Sequence, residues 1–133
     1  MHRIGTDASA PVDNWEKGGL SCGIDIDSGK LLEGAPKPTS AEIEWVSTHP
    51  DTGAQIKGIT IPNGQRLCES VCNIASFFDQ IPIIAWDIVV TDGGPFKILE
   101  ANGSKPGIET LQMHKPLLKD EKNRRFLKEH GVL

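Results

Sequence analysis

Residues 82–102 read PIIAWDIVVTDGGPFKILEAN. Two apolar segments, 82–90 and 96–102, flank the turn sequence Asp92-Gly93-Gly94-Pro95. Alternating apolar residues around a glycine-rich turn are typical of a β-hairpin. A hairpin centred on Gly93-Gly94 pairs Asp92 with Pro95, Val89 with Ile98 and Asp87 with Glu100.

Successive side chains of a strand point to opposite faces of the sheet. One face of the predicted hairpin is a core face that carries Ile84, Trp86, Ile88, Val90, Leu99 and Ala101. The other face carries Ile83, Ala85, Asp87, Val89, Ile98, Glu100 and Asn102. The second face therefore combines two opposed carboxylates with apolar neighbours.

Like charges directly across a strand pair are destabilising, so Asp87 and Glu100 require compensation. Magnesium supplies it, because it takes oxygen ligands and is commonly held by one or two carboxylates. The amide oxygen of Asn102 lies on the same predicted face and completes the protein ligands. A solvated sheet face is the alternative, but its apolar residues favour a covered metal or active site.

The chain has 133 residues, 38% hydrophobic and 24% charged, which predicts one domain-sized globular unit. Its 14 glycines and 9 prolines indicate many turns and argue against a helical bundle. No stretch approaches the length of a membrane span, and the net charge of -4 disfavours nonspecific nucleic-acid binding. Three cysteines without metal-site spacing favour a reduced, cytoplasmic protein.

Three other segments predict regular structure. Residues 22–33 alternate Ile24 and Ile26 with Asp25 and Asp27, which predicts a hairpin with a solvated acidic face. Residues 65–78 predict a helix whose core stripe is widened by Cys68 and Cys72. A short helix follows Pro106-Gly107, and a polar helix over 117–130 turns Leu118, Phe126 and Leu127 inward before a Gly131 cap.

The carboxylate hairpin resembles the C-terminal lobe of the ATP-grasp superfamily. Members carry an Asp on one strand and Glu-x-Asn on the next, matched here by Asp87 and by Glu100-Ala101-Asn102. The following segment, residues 103–107, is similar to the Pro-Gly turn that closes the family's acceptor pocket. The sugar-transfer-associated branch is indicated by Val12-Asp13-Asn14 with Gly18-Gly19, His49-Pro50-Asp51-Thr52-Gly53, Ile61-Pro62 and Gln112.

The resemblance implies an α+β fold, mostly antiparallel sheet with helices packed on one side. It implies Mg²⁺ or Mn²⁺ and ATP as cofactors, held through Asp87, Glu100 and Asn102. The implied activity is carboxylate–amine ligation through an acylphosphate, in cell-surface polysaccharide or sugar-transfer pathways. The catalytic candidates are Arg3, for phosphate or intermediate contacts, and His49, a loop histidine that is the candidate general base, although the sequence assigns no base.

A complete ATP-grasp enzyme has a second lobe with a glycine-rich phosphate loop, which the pairs Gly18-Gly19 and Gly93-Gly94 are too short to supply. We therefore expect residues 1–133 to be a single C-terminal lobe of a larger protein, inactive in isolation. The apolar carboxylate face would then support a homodimer. Two further hypotheses remain open: a non-catalytic interaction domain that has lost the nucleotide-binding lobe, and a calcium-dependent module through Asp25 and Asp27.

Overall fold

The structure is a computed structural model that describes residues 1–91, 95–104 and 107–133. It contains five β-strands and three α-helices, together with two short 3₁₀ turns at Trp15–Lys17 and Leu117–Lys119. In chain order these are β1 (His2–Ile4), β2 (Leu20–Ile24), β3 (Leu31–Ala35), α1 (Gly64–Ala75), β4 (Ala85–Val89), β5 (Lys97–Asn102), α2 (Ile108–His114) and α3 (Glu121–Glu129). The α+β class and the antiparallel pairing are confirmed, with the strands divided between a three-stranded and a two-stranded sheet.

The chain forms two compact units, Met1–Ile61 and Pro62–Leu133, here the N-terminal and C-terminal units. The N-terminal unit contains the antiparallel sheet β1-β2-β3. Its core is a cluster of buried side chains formed by Leu20, Cys22, Leu31 and Ile56. Gly34 faces this core, because a Cβ there would lie 2.7 Å from the Cys22 Sγ. The apolar strands therefore close over a fully buried centre.

The hairpin predicted at residues 22–33 is present, with Ile24 paired to Leu31 across β2 and β3. The predicted acidic strand face is wrong, because β2 ends at Ile24 and Asp25 begins the turn. The Asp25 Oδ1 accepts the backbone N–H groups of Asp27 at 2.9 Å and Ser28 at 3.1 Å. An aspartate that bonds the backbone two residues on favours a turn over a strand. These bonds lower the pKa of the Asp25 carboxyl, with the Ser28 bond as the largest cause.

The C-terminal unit contains the carboxylate hairpin. Its strands pair Ala85 with Asn102, Trp86 with Ala101 and Asp87 with Glu100, as the sequence predicts. Beyond Asp87 the register shifts by one residue, so that Ile88 pairs with Ile98 and Val89 with Lys97. The predicted Val89–Ile98 pair is therefore wrong. The predicted Asp92–Pro95 pair involves Asp92, which lies outside the described residues.

The register shift leaves one extra residue, Leu99, between the paired positions of β5. A β-bulge of this kind bends the strand and disrupts alternation. Leu99 is 65% exposed instead of lying on the predicted core face. Ala101 on the same predicted face is also exposed, whereas Trp86 and Ile88 are half-buried. The ring of Phe78 contacts Trp86 edge-on, with centroids 6.1 Å apart.

Helix α1 covers most of the predicted 65–78 segment, but none of its residues is buried. Leu67 and Val71 form a half-buried stripe, as the spacing predicts. Cys68 and Cys72 are exposed, so the prediction that they widen the core stripe is wrong. The stripe is narrower because both cysteines lie on the outer side of the helix.

The predicted C-terminal helix is divided in two. Asp120 caps α3 by accepting the Asn123 backbone N–H at 3.0 Å, so the helix starts at Glu121 and not Leu117. Leu127 is buried as predicted, but Leu118 and Phe126 are exposed. Gly131 follows with a φ of 67°, the left-handed conformation predicted for a helix cap.

Candidate functional site

The three predicted metal ligands lie on the β4–β5 pair of the C-terminal unit. Asp87 and Glu100 are directly opposed, in the part of the ladder that keeps the predicted register. Asn102 follows two residues after Glu100 and therefore points to the same face. Its Nδ2 donates a hydrogen bond of 2.7 Å to the Glu100 Oε1. Since a carboxylate only accepts, this bond orients both side chains.

The two carboxylates lie opposite each other because of the register in which β4 and β5 pair, and not because the side chains are buried together. Asp87 is half-buried, whereas Glu100 is exposed. The β-bulge lies on the turn side of the pair, so the pairs from Ala85 to Asp87 keep simple alternation. Bulges occur often beside active sites, where they redirect side chains. The geometry gives one sheet face two carboxylates and an amide within a short length of ladder.

These residues fit a magnesium ion by their donor chemistry, which consists of hard oxygen atoms alone. Two carboxylates with an amide oxygen match the ligands that Mg²⁺ takes in nucleotide-binding sites. Within residues 1–91, 95–104 and 107–133, no group of three or more His, Cys, Asp or Glu side chains forms a metal cage. The arrangement therefore suits a cation that completes its shell with water and substrate oxygens.

Arg3 and His49, the two predicted catalytic residues, belong to the N-terminal unit. Arg3 lies on β1, and its Nε is 3.6 Å from the Asp13 Oδ2. This ion pair is solvent-exposed, with the Arg3 side chain 40% accessible. Exposed ion pairs contribute little to stability, so this contact adds little to the stability of the N-terminal unit.

His49 is held by hydrogen bonds on both ring nitrogens. Its Nε2 lies 2.9 Å from the Gly5 carbonyl oxygen, so this nitrogen carries the proton. Its Nδ1 accepts the Asp51 backbone N–H at 3.2 Å. The Asp51 carboxylate in turn accepts the Asp7 backbone N–H at 2.9 Å. These bonds connect the His49–Gly53 loop to the Gly5–Asp7 segment and give His49 a structural role; its catalytic role stays a prediction.

The glycines of the Val12-Asp13-Asn14…Gly18-Gly19 motif have a structural cause. Asn14 caps the first 3₁₀ turn by accepting the Glu16 backbone N–H at 2.8 Å, and Gly18 ends that turn with a φ of 103°. A Cβ at Gly19 would lie 2.8 Å from the Asp13 carbonyl oxygen. Larger residues at positions 18 and 19 would force this turn apart.

Sequence reasoning missed two buried polar residues that lie beside the 3₁₀ turn at Trp15–Lys17. Thr6 and Ser9 are buried and bond each other, with the Thr6 N–H donating to the Ser9 Oγ at 2.9 Å. The Thr6 Oγ1 also donates to the Gly18 carbonyl oxygen at 2.9 Å. The only available signal was the cluster of small polar residues before Pro11, which is common in ordinary loops.

Sequence reasoning also missed a cavity of about 720 Å³ in the C-terminal unit. Its walls include Gly103 and Ser104, which directly follow Asn102, and Gln112 of α2. Gln112 carried part of the family resemblance, but no pattern assigned it a contact. Lys105 and Pro106 of the predicted Pro-Gly turn lie outside the described residues. Among the helices that the structure describes, none is long and apolar enough to cross a membrane.

Comparison with curated proteins and comparison with solved structures gave no match. A scan of family models matched residues 1–124 to the family described as sugar-transfer-associated ATP-grasp. The matched range includes the whole N-terminal unit, most of the C-terminal unit and every predicted site residue, from Arg3 to Asn102. The chain therefore belongs to the sugar-transfer-associated ATP-grasp family.

Proposed function

We propose that this chain forms the metal-holding, C-terminal lobe of an ATP-grasp ligase. The reaction is ATP- and Mg²⁺-dependent ligation of a carboxylate to an amine through an acylphosphate, in cell-surface polysaccharide or sugar-transfer pathways. Family membership supports the ATP-grasp part of this proposal. The observation that carries the metal part is the direct opposition of Asp87 and Glu100 on β4 and β5.

Asp87 and Glu100 act as ligands and not as bases in this proposal. Two like charges across a strand pair repel one another, and a divalent cation between them removes that repulsion. Asn102 holds the Glu100 carboxylate through its 2.7 Å hydrogen bond and so reduces the rotamer freedom lost on binding. When bound, Mg²⁺ would neutralise charge that develops on the transferred phosphoryl group.

The bulge at Leu99 assists this arrangement. It ends the regular ladder immediately beyond the carboxylate pair, so a shift of register towards the turn does not reach Asp87. The strands supply a fixed spacing between opposed Cβ atoms, about 4.5–5.5 Å for such pairs. That spacing suits side chains that reach towards one ion from both strands.

Metal binding by the 133-residue chain tests the proposal directly. We expect Mn²⁺ to bind, measured by water-proton relaxation and by calorimetry. Asp87→Asn and Glu100→Gln should each weaken binding about tenfold or more, since a charged hydrogen-bonding or ligand contact is worth roughly 1.5–3 kcal/mol. Glu42→Gln is the matched control, because Glu42 is an exposed carboxylate in the N-terminal unit.

Equal Mn²⁺ binding by the parent chain, Asp87→Asn and Glu100→Gln would reject the metal assignment. A loss of binding in all variants, including Glu42→Gln, would indicate a nonspecific charge effect and would also reject it. Asn102→Ala separates orientation from charge, because it removes the bond to Glu100 and leaves both carboxylates. We expect it to weaken Mn²⁺ binding less than either carboxylate substitution.

We also propose a homodimer through the exposed surface of the β4–β5 hairpin, to which Val89 and Ile98 both contribute. These side chains are 41% and 36% exposed, respectively. Sedimentation velocity over a concentration series measures the association, and Mg²⁺ should strengthen it by reducing repulsion between carboxylates of the two copies. A strict monomer whose sedimentation is unchanged by Ile98→Lys would contradict the dimer.

A further inference from the structure

Two exposed thiols lie four residues apart on α1, at Cys68 and Cys72. Neither cysteine is part of a disulfide. Free cysteine is among the residue types most often buried, and Cys22 of the N-terminal core, which is fully inaccessible, follows that tendency. Packing therefore accounts for Cys22 and does not account for two exposed cysteines on one helix.

The helix fixes the distance between these two positions. Side chains four residues apart are neighbours on a helix surface, with Cβ atoms roughly 5–6 Å apart. Beside the pair, Leu67 is half-buried, and the Glu69 Oε1 accepts a hydrogen bond of 3.1 Å from the Gln65 Nε2. Glu69 is thus engaged within its own helix. The two sulfur atoms are the groups on this surface that can reach one ion from adjacent helical turns.

The number and type of ligands select the kind of ion. Structural Zn²⁺ sites take four ligands, mostly Cys and His. Within residues 1–91, 95–104 and 107–133, no group of three or more His, Cys, Asp or Glu side chains is placed to hold a metal ion. A soft cation that is satisfied by two sulfur ligands fits the pair better, and thiolates select Cu⁺ over cations that prefer oxygen.

We propose that Cys68 and Cys72 together bind one Cu⁺ ion. Each thiol loses its proton as its sulfur–copper bond forms, so one ion displaces two protons, the copper stays monovalent and no electron is transferred. The second bond closes within the same helix, and its high effective concentration makes the pair bind more tightly than two separate thiols. This site is distinct from Asp87 and Glu100, whose oxygen atoms suit Mg²⁺, and it does not rest on the proposed ligase function.

The test is a Cu⁺ titration of the 133-residue chain without oxygen, with bicinchoninate as the coloured competing ligand. We expect the parent chain to take one Cu⁺ per chain, with no change in its sedimentation. Cys68→Ser and Cys72→Ser should each bind about a hundredfold more weakly, because either substitution removes the chelate. Both cysteines are exposed, so both variants should fold.

A variant that combines Cys72→Ser with Asn73→Cys is the matched control for spacing. Asn73 is exposed, so this variant keeps three cysteines and moves one thiol about 100° around the helix. We expect it to bind Cu⁺ as weakly as Cys72→Ser. Parent-like affinity in this variant, or in either single serine variant, would overturn the proposal. One Cu⁺ per two chains with faster sedimentation would overturn it too, because the ion would then bridge two copies.

Discussion

The N-terminal and C-terminal units differ in how much of their apolar side chains is buried. Among the described residues, the N-terminal unit holds the cluster of Leu20, Cys22, Leu31 and Ile56, all nearly inaccessible. Among the described residues of the C-terminal unit, only Leu127 is comparably buried. Phe77, Phe78, Leu99 and Phe126 of that unit are all more than two-fifths exposed. The first unit is therefore organised by a core, and the second by local hydrogen bonding.

The difference matters because the candidate metal ligands lie in the less buried unit. A two-stranded sheet is marginal by itself, so the opposition of Asp87 and Glu100 depends on register and on the bulge. In the N-terminal unit the geometry of the His49 loop depends on hydrogen bonds to Gly5 and Asp7, which lie more than 40 residues earlier in the chain. The buried core and the candidate metal ligands thus occupy separate units, whereas the candidate catalytic residues Arg3 and His49 lie in the same unit as the core.

The largest expected effect is on the free energy of unfolding when one leucine of each unit is replaced by alanine. Leu31→Ala removes a side chain that is 5% exposed in the N-terminal core, and we expect a loss of about 3 kcal/mol in the free energy of unfolding. Leu99→Ala removes a side chain that is 65% exposed, and the change should stay within about 0.5 kcal/mol. Urea unfolding measures both. Similar losses for the two variants would mean that the units do not differ in packing.

The cysteines provide a second comparison. Cys22 is fully inaccessible and burial raises the pKa of its thiol to about 11, whereas Cys68 and Cys72 are exposed. We expect a disulfide reagent to label two thiols of the native protein rapidly and Cys22 about a hundredfold or more slowly, because labelling requires local opening. Denaturant should expose the third thiol. Three rapid thiols in the parent chain, falling to two in Cys22→Ser, would contradict the buried core.

A smaller effect is expected at the carboxylate pair. Glu100→Gln removes the charge opposite Asp87, and without divalent cations it should raise the free energy of unfolding by about 0.5 kcal/mol. Added Mg²⁺ should stabilise the parent chain and not the variant, because bound ligand stabilises only the state that binds it. Thermal melts with chelator and with Mg²⁺ measure both changes. Destabilisation by Glu100→Gln in chelator would show that the pair does not repel.

The smallest effect concerns acid stability at the β2–β3 turn. The pKa of Asp25 is lowered below 3.8 by hydrogen bonds from Ser28 and Asp27. The stabilisation is therefore complete above the ordinary aspartate value and is lost as the pH falls through the lowered pKa. Asp25→Asn keeps an acceptor oxygen but does not titrate, so its unfolding free energy should fall less steeply in this range. Parallel acid profiles for the parent chain and Asp25→Asn would contradict this.

The sequence by itself determined the local pattern of this protein. Alternation around Gly93-Gly94 predicted the pairing of Asp87 with Glu100, although the pairs nearer the turn take a register that differs by one residue from the predicted one. The alternation of apolar and acidic residues in segment 22–33 likewise predicted the β2–β3 hairpin. The glycine at position 131 predicted the cap of the last helix. These features depend on residues close in the chain, whose preferences are readable without knowledge of distant neighbours.

Only the tertiary structure decided the contacts between residues that are far apart in the chain. The bulge at Leu99 shifts the pairing of β4 with β5 by one residue, so simple alternation placed Leu99 on the wrong face. The His49 ring bonds a carbonyl 44 residues earlier in the chain, which its own loop sequence does not encode. The cavity of about 720 Å³ joins Ile83 and Gln112 to Leu133, which are far apart in the chain. Burial and hydrogen-bond satisfaction are properties of the folded chain, and local sequence carries neither.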